Sequence, residues 1–264
     1  MKSFSKKITT AVFAGLAITL AATLPSQAQT LKVAVGAEPY PPMYYPDASG
    51  QWHGFEVDLA GLLCKTAKLE CETTPIAWDG IIPALTSGKI DMIMGSMSIT
   101  AERQKKIDFS DKYYSIPPMI IGTKDIKFEP NAEGLADKTV GVQVSTIHQS
   151  YVEKHFVPKG ATLKEYQTQD EANNDLAAGR LDAVMADAGA MADFLKTDIG
   201  QSCCDAKGNP APDIEILGPG VGIGLRKGDD ALREKMNTAI KTIRENGEYE
   251  ALAKKYFTYD VFGD

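Results

Sequence analysis

No stretch after residue 28 approaches the roughly 18 consecutive apolar residues that carry a helix across a bilayer, so the chain past its N-terminus reads as soluble. Histidine is scarce, and His53, His148 and His155 show no ligand spacing with the four cysteines, which leaves a metal centre without support. Positive charge is also short: 28 Lys and Arg against 35 Asp and Glu give a formal net charge of −7. Phosphate binding leans on a basic footprint, so this balance argues against a nucleic-acid partner. No internal repeat and no low-complexity tract is found.

What the N-terminus does hold is an export signature over residues 1–28. Lys2, Lys6 and Lys7 precede an Ala-rich apolar run, and Ser26-Gln27-Ala28 supplies small residues for cleavage. Cleavage before Gln29 would remove those three lysines and take the net charge from −7 to −10. Four cysteines suit an oxidising compartment without amounting to a disulfide scaffold. Cys64, late in an expected helix, and Cys71, at the start of the next strand, are expected to bridge. Cys203 and Cys204 fall in an expected polar loop, and neighbouring cysteines pair only through constrained geometry.

The remainder alternates short apolar strands with amphipathic helices, an α/β pattern. Strands are expected at Leu31 to Val35, Glu70 to Pro75, Ile90 to Met94, Val140 to Val144 and Leu181 to Ala186. Phe55, Leu59, Leu62 and Leu63 recur at helical spacing, as do Leu232, Met236, Ile240 and Ile243 in a helix that Gly247 stops. Asp79 is an expected cap for the helix through Ile81 and Leu85, and Thr168-Gln169-Asp170-Glu171 matches a capping box. A Pro-rich loop, Gly36 to Pro46, carries Glu38 and Tyr40. Ligands of open α/β sheets bind beyond the carboxyl ends of strands, which puts Tyr40 and Trp78 at that rim. Ser115-Ile116-Pro117-Pro118 and Ile214 to Gly220 read as two crossings between domains, so the first domain is built from both ends of the chain.

The most informative stretch is Gly95-Ser96-Met97-Ser98-Ile99-Thr100-Ala101-Glu102-Arg103-Gln104. Thr100 reads as a helix N-cap, which places Arg103 in the first turn beside unpartnered backbone N–H groups and nearby hydroxyls. A guanidinium in that setting is a carboxylate receptor, because its planar fork makes two parallel bonds.

Together with Gly54-Phe55-Glu56-Val57-Asp58-Leu59, Trp78-Asp79-Gly80-Ile81-Ile82-Pro83, Gly179-Arg180-Leu181-Asp182-Ala183 and Gly222-Ile223-Gly224-Leu225-Arg226-Lys227, this stretch resembles the periplasmic solute-binding proteins of polar amino acid ABC importers (family 3), nearest the lysine/arginine/ornithine- and histidine-binding members. The resemblance implies the type II periplasmic binding protein fold, two Rossmann-like lobes joined by a two-strand hinge. Lobe 1 would comprise residues 29–116 and 218–264, and lobe 2 the inserted residues 117–217.

It further implies that Arg103 clasps a ligand α-carboxylate with help from Ser98 and Thr146, while Asp187 accepts the α-ammonium. Tyr40 and Trp78 would sandwich the side-chain stem and Glu38 would meet a distal positive charge. Gly95, Ser96 and Met97 complete the implied ligand-binding set. Close relatives usually carry aspartate at the Glu38 position, serine at Gly95 and phenylalanine at Trp78. The implied ligand is arginine, ornithine or lysine, with histidine second and an arginine-derived opine third, since Gly95 frees space beside the α-amino group. No cofactor is implied. The partner would be an inner-membrane permease and the protein a periplasmic monomer. Two rivals are a dehydratase on the same fold, with Glu38 as general acid, and a sensor module, which generally continues into a membrane span where this chain stops at Asp264.

Overall fold

The computed structural model describes residues 1–2 and 30–263, so the export signature read over residues 1–28 lies, past Lys2, outside the described residues. Among the described residues, no helix is long and apolar enough to cross a membrane. Two five-stranded sheets form the frame. In spatial order the first holds Cys71–Ile76, Leu31–Gly36, Met92–Ile93, Val221–Leu225 and Asp108–Tyr114; the second holds Cys204–Gly208, Pro118–Thr123, Ala183–Asp187, Thr139–Gln143 and Thr162–Tyr166. Leu31–Gly36 runs parallel to both of its neighbours, and Thr139–Gln143 does the same in the second sheet. Pro118–Thr123 and Val221–Leu225, which follow the two crossings, pair antiparallel to their neighbours.

Both faces of each sheet are covered, which is why these strands read as nearly continuous apolar runs. Because side chains alternate, Val33 and Val35 pack with Phe55, Leu59, Leu63, Met236 and Ile240, while Ala34 between them packs with Ile81, Leu85 and Ile107. The second sheet repeats the plan: Val140, Val142 and Met185 meet Tyr151, Val152 and Phe156 on one face, and Val184 and Ala186 meet Ala172, Leu176 and Met191 on the other. The predicted apolar stripes therefore define the helices, Phe55–Ala67 ending at Lys68 with φ 55 and Asp230–Glu245 capped by Asp229. The Thr168 capping box forms with both of its reciprocal bonds.

Several expectations need correction. Asp79 caps nothing: it sits inside a one-turn 3-10 segment, Trp78–Gly80, that runs straight into Ile81–Thr86, and no side chain caps that helix. The second crossing is not extended throughout. Ile214–Leu217 forms a helical turn because the Asp213 carboxylate accepts the N–H groups of Glu215 and Ile216 at 3.1 and 3.3 Å. Gly218 then turns the chain with φ 75, where an added Cβ would lie 2.1 Å from the Ile99 carbonyl oxygen, so only glycine lets the crossing pass the Ser98–Ile99 segment.

Helices Ala188–Phe194 and Asp198–Cys203 carried no legible stripe, the first being made largely of small residues. Cys203 and Cys204 are not in a loop; they join a helix end to the edge strand Cys204–Gly208 and are bonded to each other.

Cys64 and Cys71 are bonded, with Cα atoms 6.3 Å apart, tying the end of the Phe55–Ala67 helix to the start of the Cys71–Ile76 strand. Replacing both by alanine should lower the unfolding free energy by about 2 to 3 kcal/mol, the loop-closure entropy of so short a bridge. A reduced urea midpoint would report it.

Candidate functional site

The carboxyl ends of the parallel strands in the two sheets face one another, and the loops leaving them enclose a cavity of about 30 Å³. The first sheet supplies Tyr40 and Tyr44 from the loop after Leu31–Gly36, Trp78 from the turn after Cys71–Ile76, and Gly95, Ser96, Ser98 and Arg103 from the segment after Met92–Ile93. From the second come Gln143, Thr146, Ile147 and His148 around the end of Thr139–Gln143, Gln169, and Asp187 at the end of Ala183–Asp187.

Arg103 is placed by its backbone. Thr100 caps the Ala101–Gln104 turn, its hydroxyl accepting the Arg103 N–H at 3.2 Å. The guanidinium donates through Nη1 to the Ser98 carbonyl at 3.0 Å and through Nη2 to the Ser145 carbonyl of the opposite sheet's loop at 3.3 Å. Trp78 Nε1 donates to the same Ser145 carbonyl at 3.3 Å, and the Arg103 Cζ stands 5.5 Å from the Trp78 ring centroid. Burial pulls the Arg103 pKa down to about 10, opposed by the attraction of Asp187, so the group is still a cation at neutral pH.

Asp187 occupies the other wall. Its Oδ2 accepts the Tyr40 hydroxyl at 3.1 Å, a third bond between the two halves of the site. Burial first, and Asp187 second, raise the Tyr40 hydroxyl well above its ordinary pKa, so that phenol is a permanent donor. Tyr44 stacks on the Tyr40 ring, with centroids 5.8 Å apart. Thr146 caps the Ile147–His155 helix, accepting the Gln149 N–H at 3.1 Å and donating to the Gln143 carbonyl at 2.7 Å.

Behind the Gly95–Ser98 wall lies a carboxylate that the sequence reading passed over. Glu56 is 0% exposed and accepts three donors at 2.7 Å: the Ser96 N–H and the Tyr113 and Tyr114 hydroxyls. The Ser96 hydroxyl is itself 2.7 Å from the Tyr114 hydroxyl, and Ser96 holds φ 59, a conformation uncommon for a residue with a Cβ. Burial raises the Glu56 pKa against the pull of those three bonds. At Gly95 an added Cβ would touch the Gly36 nitrogen at 3.4 Å, so this wall is tightly backed by the first strand.

Of the implied ligand-binding set, Tyr40, Trp78, Gly95, Ser96, Ser98, Arg103, Thr146 and Asp187 line one cavity. Glu38 and Met97 do not. Glu38 is half-buried nearby, where its charge helps to raise the Tyr44 pKa, and Met97 is buried and faces a wider outer groove of about 780 Å³ shared with Trp78, Arg103 and Thr146. Tyr44, Gln143, Gln169, Ile147 and His148 line the cavity without having been singled out. The last two were within reach of inference, since the N-cap at Thr146 puts the next two residues at the same strand end. Among the described residues no group of three or more His, Cys, Asp or Glu is arranged to hold a metal ion.

Residues 31–259 match the family of bacterial extracellular solute-binding proteins, family 3. The chain is 40% identical over 243 residues to an L-arginine-binding protein of Pseudomonas aeruginosa, covering 91% of this chain and 93% of that one. It is 41% identical over 236 residues to a histidine-binding periplasmic protein of Salmonella typhimurium, covering 88% and 90%. A solved ancestral arginine-binding protein bound to arginine superposes with a TM-score of 0.78 at 34% identity, covering 86% of this chain and 98% of that one. The chain therefore belongs to family 3 of the bacterial extracellular solute-binding proteins, and its fold is the two-lobed type II fold of that family.

Because the fold raises the Glu56 pKa, folding favours the protonated acid; the stability this contributes is present below the unfolded-state pKa and is lost as pH rises through the folded-state value. Glu56→Gln, which cannot ionise, should remove that decline. Urea midpoints at pH 5 and pH 8 should fall further apart for the wild-type chain than for the variant.

Proposed function

We propose that this protein is the extracytoplasmic amino-acid receptor of an ABC importer, closing two lobes on a cationic amino acid (arginine, ornithine or lysine, with histidine next) and delivering it to a permease in the inner membrane. The observation that carries the reading is the meeting of Arg103 and Asp187 from opposite sheets in one cavity. A zwitterion needs an anion receptor and an ammonium acceptor a few ångströms apart, and two lobes that each supply one are drawn together by it. Relatives named for binding arginine, histidine, and lysine, arginine or ornithine support the ligand class.

In this reading Arg103 binds the α-carboxylate with the Ser98 and Thr146 hydroxyls, and Asp187 binds the α-ammonium. Tyr40 and Trp78 flank the side-chain stem, with Gly95 and Ser96 behind it and Met97 under the outer groove, and Glu38 beside the cavity faces the distal charge. A ligand enters as the lobes part and the Arg103–Ser145, Trp78–Ser145 and Tyr40–Asp187 bonds that close the cavity open. The lobes are residues 29–116 with 218–264, and the inserted 117–217, which agrees with the division of strands between the sheets; Ser115 to Pro117 and Gly218 to Gly220 are the hinge. The protein acts in the periplasm, as a monomer, with no chemical step: the cleft carboxylates serve as counter-charges.

Arg103→Ala should weaken arginine binding by about 2 to 5 kcal/mol, since it leaves Asp187 and the ligand carboxylate without their counter-charge; unchanged calorimetric affinity would refute the site. Glu38→Gln should cost arginine and lysine much more than glutamine, and equal losses would show that charge is not read there. Arginine at about a hundred times its Kd should stabilise the fold by about 2.7 kcal/mol, visible as a rise in melting temperature.

A further inference from the structure

His148 has no role in the reading above, yet it is 5% exposed and lines the same cavity. Its Nε2 stands 3.2 Å from Asp187 Oδ1, but the approach lacks hydrogen-bond alignment and leaves the nitrogen with no partner. A buried ring nitrogen without a partner is costly, and here it faces the carboxylate oxygen that Tyr40 does not use, Tyr40 being bonded to Oδ2. Two acceptors side by side repel unless donors are placed between them. A substrate ammonium has three N–H groups; Asp187 Oδ1 and His148 Nε2 together form a two-point acceptor for it.

We infer that His148 is a ligand-binding residue, its unprotonated Nε2 accepting one N–H of the α-ammonium while Asp187 accepts another. This rests on the reading of the site as an amino-acid receptor. It puts the ring proton on Nδ1 and leaves Nε2 with a lone pair aimed at the ammonium.

Other titratable groups surround the helix. Asp187, Tyr40 and Arg103 share the cavity, with Tyr44 and Glu56 near enough for their charges to be coupled to Asp187. On the elements packed against Ile147–His155, Glu165 is bonded to Gln149, and Asp213 and Glu215 are paired with Lys154, Asp213 also with His155.

The test is calorimetry with L-arginine at pH 7.5. His148→Phe, lacking an acceptor, should bind about tenfold more weakly or worse than the wild type. His148→Gln, whose amide oxygen can accept, should recover most of that loss. If the Phe variant does not fold, His148→Leu takes its place. A folded His148→Phe or His148→Leu of wild-type affinity, or a His148→Gln as weak as either, overturns the role of His148 alone. No arginine binding by the wild type at pH 7.5 overturns the receptor reading and this inference with it.

Discussion

The structure turns on opposite charges held on opposite lobes. Arg103 and Asp187 are each taken partly out of water, which is costly for an ion unless hydrogen bonds and a counter-charge replace the solvent. The chain supplies the replacements from both sides of the cleft: the Ser98 and Ser145 carbonyls for Arg103, and the Tyr40 hydroxyl for Asp187. Two of these bonds, Arg103 to the Ser145 carbonyl and Tyr40 to Asp187, join the loops of one sheet to those of the other, so each ion is partly satisfied from across the cleft.

A second layer holds the first in position. Glu56, in the first turn of the Phe55–Ala67 helix, gathers the Ser96 N–H, Tyr113 and Tyr114 around one buried carboxylate. Tyr113 and Tyr114 close the strand that leads directly into the first crossing. The wall that carries Gly95, Ser96 and Ser98 is thus hydrogen-bonded to the segment where the chain leaves one sheet for the other. A residue held at φ 59, as Ser96 is, persists only where its surroundings over-determine it; here its N–H is bonded to Glu56 and its hydroxyl to the Tyr114 hydroxyl.

The pairing of Arg103, Trp78 and Ser145 shows why the cleft is built from loops over rigid strands. Ser145 offers only a carbonyl, yet it accepts from two side chains that arise from different strands of the other sheet. Site residues on strand ends are fixed by the sheets' hydrogen-bond ladders, and the connections between the sheets, Ser115 to Pro117 and Gly218 to Gly220, are short.

Local chemistry made much of this legible in advance. Helical spacing in Phe55, Leu59 and Leu63, the Thr100 and Thr168 caps, and the placement of Asp187 at a strand end each depend on residues close in sequence, where propensity and capping act. Ile214–Leu217 and the two helices after Asp187 escaped because they are short or made of small residues, and their apolar faces are defined by what they pack against. What the sequence by itself determined was the class of fold, with Arg103 and Asp187 each placed at a strand end by local signals. Only tertiary structure decided that Glu56 is sealed beneath the Gly95–Ser98 wall, that His148 faces Asp187, and that Glu38 and Met97 stand outside the inner cavity, because burial and the direction of a side chain depend on partners far away in the sequence.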